Sequence, residues 1–186
     1  MSVLAILGSR NPEGQTAKAV QAVLEGSTSQ GSQAEQVFLP EMKIERCRQC
    51  EQDGSGICSK EGCCVIQDDF ATIVDKLKRA HAAVFATPVY FGDLSESMRG
   101  FLDRLGRTCG HEAGKERIGG KPAMGVCVAG GSGGGAPTCA VSLEKYLSRC
   151  GFEVIDMVPV RRHNLDMKLA ILGVTGKWLV NRMGSG

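Results

Sequence analysis

A regular alternation of short apolar runs with segments of helical periodicity constrains the fold more than any other feature. The apolar runs predict strands at residues 2–7, 34–39, 82–87, 121–129 and 153–159. The helical patterns predict helices at about 15–27, 67–80, 94–107, 136–150 and 166–182. Such alternation is typical of βαβ units and parallel sheets. We therefore predict an α/β fold with a doubly wound, five-stranded parallel sheet in the order 2-1-3-4-5.

Length and composition exclude several classes of protein. The chain has 186 residues, 42% of them hydrophobic and 23% charged, which predicts a single domain over residues 1–186. A net charge of +2 is too small to indicate a nucleic-acid partner. No apolar run reaches the roughly 18 residues of a membrane-spanning helix, and no basic segment of a secretory signal precedes the first apolar run. We expect a cytoplasmic protein with no membrane partner.

A turn rich in glycine and polar residues follows the first predicted strand, from Gly8 to Thr16. Such a turn presents backbone N–H groups at a helix N-terminus, where the helix macrodipole favours an anion, typically phosphate. It is not a Walker A loop, because no Lys-Ser/Thr pair follows Gly14, and it is not G-x-G-x-x-G. The turn predicts phosphate binding, and a solvated connection is the alternative.

Three predicted loops follow strands at the carboxyl edge of the sheet, where ligands bind in open α/β folds: 8–15, 88–93 and 130–136. The second loop contains adjacent aromatic residues and ends at Asp93, which we expect to cap the next helix. The third consists almost wholly of glycine, so that a flat ligand can lie against its backbone. Together the loops predict a site for a phosphorylated planar heterocycle. Aromatic packing and a flexible hairpin are the alternatives for the second and third loops.

The nine cysteines fall into two groups. Four are scattered, and we expect them to be small core residues: Cys109, Cys127, Cys139 and Cys150. The other five lie between Cys47 and Cys64, inside a long excursion at 40–66. In a reducing compartment, such crowding indicates metal binding or redox chemistry. The residues alone leave open an iron–sulfur cluster, a zinc ion or no metal.

Several of these segments resemble the NAD(P)H-dependent FMN reductase family, in particular its iron–sulfur flavoprotein branch. The resemblance runs through 8–16, 88–92, 98–104 and 130–135 and covers residues 2 to about 160. It implies a flavodoxin-like fold and an FMN-dependent oxidoreductase that passes electrons from NAD(P)H to a flavin, a quinone or another acceptor. An iron–sulfur electron-transfer protein with a ferredoxin-like donor, and a zinc-clasped binding or redox-sensing module, remain as alternatives.

The resemblance also implies which residues contact the cofactor. Around the FMN phosphate it places Ser9, Arg10, Asn11, Gly14, Gln15 and Thr16. Along the edge of the ring it places Pro88, Val89, Tyr90, Phe91 and Gly92. On the other side of the ring it places Gly130, Gly131 and Gly135. No catalytic side chain is implied, because the flavin carries the chemistry.

The clustered cysteines match the iron–sulfur members only in part. Cys47 and Cys50 match the first two positions of a C-x2-C-x2-C run, whereas the third position is Asp53. The implied ligands of a [4Fe-4S] cluster, or of zinc as the weaker alternative, are Cys47, Cys50, Cys58 and Cys64, with Cys63 as a substitute.

The last predicted helix has a wide apolar surface. Leu172 and Leu179 lie on one stripe, and Val174 and Trp178 lie beside it. This breadth predicts both core packing and a subunit contact, so that we expect a homodimer or homotetramer.

Overall fold

The computed structural model describes residues 1–51 and 56–184 and contains all five predicted strands. The strands are β1 (Ser2–Leu7), β2 (Gln33–Phe38), β3 (Ala82–Pro88), β4 (Pro122–Ala129) and β5 (Glu153–Arg161). They pair in parallel in the order β2-β1-β3-β4-β5. The predicted doubly wound sheet is confirmed.

Seven α-helices lie within the described ranges. They are α1 (Gln15–Thr28), α2 (Gly56–Glu61), α3 (Phe70–Arg79), α4 (Glu96–Cys109), α5 (Glu112–Ile118), α6 (Ala136–Cys150) and α7 (Leu165–Gly184). The sequence did not predict α2, which lies inside the cysteine-rich excursion, or α5. Both span about two turns or fewer, which is too short for a hydrophobic period to show.

The start of α4 differs from the prediction. Ser95 is the N-cap, and its Oγ accepts a hydrogen bond from the Met98 amide. The expectation that Asp93 caps this helix is wrong, because the Asp93 side chain accepts a hydrogen bond from the adjacent Leu94 amide and pairs with Arg99. A serine directly before the first helical turn satisfies an amide that the more distant aspartate does not reach.

Helices cover both faces of the sheet. In β1, Val3, Ala5 and Leu7 pack with α1 and α7, whereas Leu4 and Ile6 pack with α3, α4 and α6. This alternation follows from the two-residue period of a strand. The central strands are buried on both faces, as parallel sheets require.

Helix α7 packs closely against α1. A Cβ atom added to Gly26 would lie 2.1 Å from the Gly173 carbonyl oxygen, and one added to Gly176 would lie 2.1 Å from the Val23 oxygen. Glycine therefore allows the two backbones to approach. The predicted core contacts of the last helix are confirmed, while its outer face exposes Met167, Ile171, Val174 and Trp178.

The four scattered cysteines are fully buried, which confirms their expected role in the core. Burial raises the pKa of Cys150 to about 12. Its hydrogen bond to Cys139 and burial raise the pKa of Cys127. In the described part of the chain, no helix is both long enough and apolar enough to cross a membrane.

Candidate functional site

The loop between β1 and α1 is shaped by its own polar side chains. The Asn11 amide donates to Ser9 Oγ (3.3 Å), and the Glu13 amide donates to Asn11 Oδ1 (3.0 Å). The Gly14 amide donates to the Asn11 carbonyl (3.2 Å). Ser9 and Asn11 thus fix the turn that leads into the helix, as short polar side chains commonly do.

The N-terminus of α1 lacks a side-chain cap. Gly14 occupies the N-cap position without a side chain, and the first turn contains no acidic residue. The amides of Gln15, Thr16 and Ala17 have no acceptor within the helix, because they belong to its first turn. Such an end attracts an anion through its free N–H groups and the helix dipole.

Gln15 carries a buried polar atom that lacks a partner. Its side-chain Oε1 accepts no hydrogen bond from the residues that the structure describes. A Cβ atom added to Gly130 would lie 3.5 Å from this oxygen, so the first and third loops meet here. A buried acceptor without a donor indicates that a ligand with hydroxyl or N–H groups completes the site.

Hydroxyl groups join the first loop to the second. Ser97 Oγ donates to the Gly8 carbonyl (3.1 Å), and Thr87 Oγ1 donates to Ser95 Oγ (3.1 Å). A Cβ atom added to Gly8 would lie 2.3 Å from Ser95 Oγ. Sequence reasoning missed these three hydroxyl residues. The Ser-Glu-Ser run before a helical pattern points to Ser95 and Ser97.

The second and third loops touch through two glycines. A Cβ atom added to Gly135 would lie 2.5 Å from the Gly92 Cα, and Gly135 has a φ of +77°. Gly131 differs, since a Cβ atom there would meet nothing within 4 Å. The structure therefore brings together the predicted loops, and Gly135 is required for their contact.

The tip of the second loop is a tight turn. Tyr90 and Asp93 exchange two backbone hydrogen bonds of 3.0 Å, and Phe91 and Gly92 between them have positive φ angles of 52° and 80°. Phe91 is fully exposed. A large aromatic residue in the left-handed region is disfavoured, and such strain often marks a ligand-binding segment.

A second site lies in the cysteine-rich segment. Cys47, Cys50, Cys58 and Cys64 line one cavity of about 20 Å³, which we call the cysteine pocket. Burial and the nearby Cys47 and Cys64 sulfurs raise the pKa of the Cys58 thiol. Cys63 lies outside this lining, and its sulfur contacts Glu61 Oε2. The predicted third position, Asp53, lies outside the described residues.

A buried ion pair lies beside the cysteine pocket. Arg104 binds Asp68 through two nitrogens, at 2.6 and 3.0 Å, and their side chains are only 1% and 0% exposed. Arg104 also donates to the Glu45 carbonyl, and the Glu45 amide donates to the Asp68 carboxylate. Burial disfavours the charged guanidinium, but the hydrogen bonds to Asp68 and the nearby Cys64 sulfur raise the pKa of Arg104 overall. Sequence reasoning gave this pair no role.

Four thiols around one cavity are the donor set that an iron–sulfur cluster or zinc requires. Among residues 1–51 and 56–184, no three Cys, His, Asp or Glu side chains have the arrangement of metal ligands. A cavity of about 20 Å³ has room for about one water molecule. The pocket thus fits a metal group in its chemistry, and the sulfurs must move to bind one.

The sheet order, the helices on both faces and the three loops at the carboxyl edge define a flavodoxin-like α/β protein. The sequence profile of the family described as NADPH-dependent FMN reductase matches residues 1–167. The chain belongs to this family.

Individual relatives agree with this assignment. The chain is 34% identical over 104 residues to an iron–sulfur flavoprotein of Methanocaldococcus jannaschii, covering 56% of this chain and 51% of that protein. It is 30% identical over 146 residues to an iron–sulfur flavoprotein of Archaeoglobus fulgidus, covering 78% of this chain and 68% of that protein. The chain thus spans about half of the first relative and about two thirds of the second.

The fold is also similar to solved structures. An NAD(P)H:quinone oxidoreductase from Methanothermobacter marburgensis superposes with a TM-score of 0.72 at 20% identity. The match covers 96% of each chain. At this identity the similarity shows the fold alone.

Proposed function

We propose that the protein is an FMN-dependent oxidoreductase that takes electrons from NAD(P)H and passes them to a flavin, a quinone or another small acceptor. The observation that carries the proposal is the convergence of three loops around the uncapped N-terminus of α1 and the unpartnered Gln15 Oε1. Family membership supports the choice of FMN among phosphorylated heterocycles.

The described residues fit FMN in kind. The amides of Gln15 and Thr16 would receive the phosphate, and Gln15 Oε1 would accept a hydrogen bond from a ribityl hydroxyl. Arg10 is exposed beside this loop and adds positive charge. We assign Ser9 and Asn11 to shaping the loop, because hydrogen bonds within the loop engage Ser9 Oγ and Asn11 Oδ1.

FMN supplies, when bound, a ring that accepts a hydride and gives up electrons. The protein would contribute hydrogen-bond donors to the ring edge. Along the second loop, the Val89 amide donates to the Val128 carbonyl. The amides of Tyr90 and Asp93 each donate to the carbonyl of the other residue. We therefore assign the amides of Phe91 and Gly92 as the donors that would stabilise added negative charge.

The first experiment titrates FMN into the protein and its Gln15→Glu variant. A carboxylate in the first turn of α1 repels phosphate, so we expect affinity to fall about tenfold or more. Gln21→Glu is the matched control, because Gln21 is exposed on the same helix and forms a hydrogen bond with Glu25. Equal affinities of the two variants would contradict the phosphate assignment.

The second experiment tests the electron donor. The FMN-loaded protein is mixed with NADPH or NADH without oxygen, and the flavin absorbance is followed. We expect bleaching with at least one nucleotide and recovery when a quinone is added. A flavin that stays oxidised with both nucleotides would contradict the proposed donor.

A second candidate function is electron transfer through an iron–sulfur cluster, with a ferredoxin-like donor. The four thiols of the cysteine pocket favour it, and relatives named iron–sulfur flavoproteins support it. After anaerobic reconstitution with iron and sulfide, Cys47→Ala is expected to lose the metal but retain FMN. Cys63→Ala is the control, since Cys63 does not line the pocket. Zinc without sulfide in the purified protein would favour the zinc-clasped alternative.

We propose a homodimer or homotetramer in the cytoplasm. The exposed apolar face of α7, with Val174 and Trp178, supports self-association. All nine cysteines lie in the described ranges, and none forms a disulfide there, which is typical of a reducing compartment. Light scattering that shows a monomer at working concentration would contradict the proposed assembly.

A further inference from the structure

The most unusual buried group outside the three loops is the guanidinium of Arg104. The side chain is 1% exposed and lines the cysteine pocket. Its two terminal nitrogens bind Asp68 and the Glu45 carbonyl. Its Nε–H is buried and has no hydrogen-bond partner in the described part of the chain.

The structural role of Arg104 requires only its two terminal nitrogens. They join α4 to the segments on both sides of the cysteines, because Glu45 lies two residues before Cys47 and Asp68 lies four residues after Cys64. The plane of the guanidinium is also fixed, since its carbon lies 4.2 Å from the centre of the Phe70 ring. The orientation of Nε is thus set by contacts that do not use its proton.

A buried N–H donor without an acceptor is costly, and a native structure rarely retains one without a reason. Four thiols share the cavity with Arg104, beside the polar side chains of Gln49 and Thr108, and a neutral thiol is a weak acceptor. The thiolates and sulfides of an iron–sulfur cluster carry negative charge and accept such bonds more strongly. The unpartnered donor and the four thiols therefore point to the same occupant.

We propose that Arg104 is a positioning residue whose Nε–H donates to a sulfur of an iron–sulfur cluster held by Cys47, Cys50, Cys58 and Cys64, and that it makes this cluster easier to reduce. The proposal rests on the second candidate function. Reduction adds an electron to an anionic cluster, so a nearby positive donor stabilises the reduced state more than the oxidised state.

Substitution of Asp68 should change the redox equilibrium of the cluster in the opposite direction to substitution of Arg104. Its carboxylate compensates the charge of Arg104 through the two-point ion pair. An Asp68→Asn variant keeps the Nε donor but removes the compensating charge, so the reduced cluster should be favoured more strongly. An Arg104→Lys variant keeps the charge but removes the Nε donor and its planar geometry, so the reduced cluster should be favoured less.

The experiment reconstitutes the protein and its variants with ferrous iron and sulfide without oxygen. Iron and sulfide are assayed, and the visible and paramagnetic resonance spectra are followed during a redox titration. At a fixed potential we expect Arg104→Lys to lower the ratio of reduced to oxidised cluster about tenfold, which is about 59 mV for one electron. Asp68→Asn should raise this ratio.

Arg107→Lys is the matched control, because Arg107 lines the same pocket one helical turn further along α4. Its potential is expected to stay near that of the unmodified protein. Potentials that are unchanged in both Arg104→Lys and Asp68→Asn, or that shift in the same direction, would overturn the proposal and leave Arg104 as a brace. If Arg104→Lys fails to fold, the sign of the Asp68→Asn shift still decides.

Failure of the second candidate function would give a different result from failure of the proposal for Arg104. An unmodified protein that takes up no iron and sulfide, or that binds only zinc, would overturn the second candidate function and this inference with it. A cluster present in all variants at one potential would overturn only the inference.

Discussion

The loops at the carboxyl edge and the cysteine pocket are built in different ways. The loops present mainly backbone: amides at the start of α1, and glycines where the second and third loops touch. The pocket presents side chains, with four thiols beside a buried ion pair between Arg104 and Asp68. A site made of backbone is damaged by adding atoms, and a site made of side chains is damaged by removing charge.

The largest expected effect comes from the pocket. Asp68→Ala leaves the Arg104 charge buried and unpaired, so we expect a loss of about 3–5 kcal/mol in the free energy of unfolding. Glu35→Ala is the control, since it breaks a partly exposed pair with Lys76 and should cost less than about 1 kcal/mol. Chemical denaturation measures both. Similar losses would mean that burial does not make the pair between Arg104 and Asp68 more important for stability than an exposed pair.

The next effect comes from adding one carbon atom to the loops. Gly135→Ala places a Cβ atom against Gly92 and forces a positive φ on alanine, so we expect a loss of about 2–3 kcal/mol in stability. Gly131→Ala adds the same atom in open space and is expected to change little. Thermal unfolding of both variants tests this. Unchanged stability of Gly135→Ala would show that the contact between the loops can relax.

A smaller effect is expected from one hydroxyl group. Thr16 is buried in the first turn of α1. Thr16→Val keeps the shape and removes the hydroxyl, so we expect FMN binding to weaken by about 1.5 kcal/mol, which is roughly tenfold. Fluorescence titration measures the affinity. An unchanged affinity would mean that backbone amides alone hold the phosphate.

The smallest expected effect is chemical labelling of cysteine thiols, which leaves the protein folded. Iodoacetamide at neutral pH is expected to label Cys50 first, because its side chain is exposed. Cys127 and Cys150 should resist, since both are buried and their pKa values are raised, that of Cys150 to about 12. Mass spectrometry of digested protein locates the label. Early labelling of Cys150 would show that the core opens readily.

The contrast between the two regions also explains what the sequence could predict. The order of the strands and the positions of the three loops follow from local patterns, such as the glycine run after β4 and the turn after β1. The cap of α4 was missed because Asp93 and Ser95 are both good caps, and a tertiary turn decides between them.

The pocket could be predicted only in part. The crowding of cysteines is visible in the sequence, but which of them face one cavity depends on α2, a helix too short to leave a pattern. The partner of Arg104 is 36 residues away in the chain, and no local signal joins it to Asp68. Such pairing becomes visible only when the fold brings α4 beside the excursion.

One continuous helix, α4, contributes residues to both regions. Ser97 near its first turn holds the Gly8 carbonyl, and Arg104 lies seven residues further along, a rise of about 11 Å. The spacing and the relative angle of the two sites are therefore set by one uninterrupted helix. Inserting one residue between Ser97 and Arg104 would turn the guanidinium by about 100° away from the sulfurs while leaving the loop contact intact.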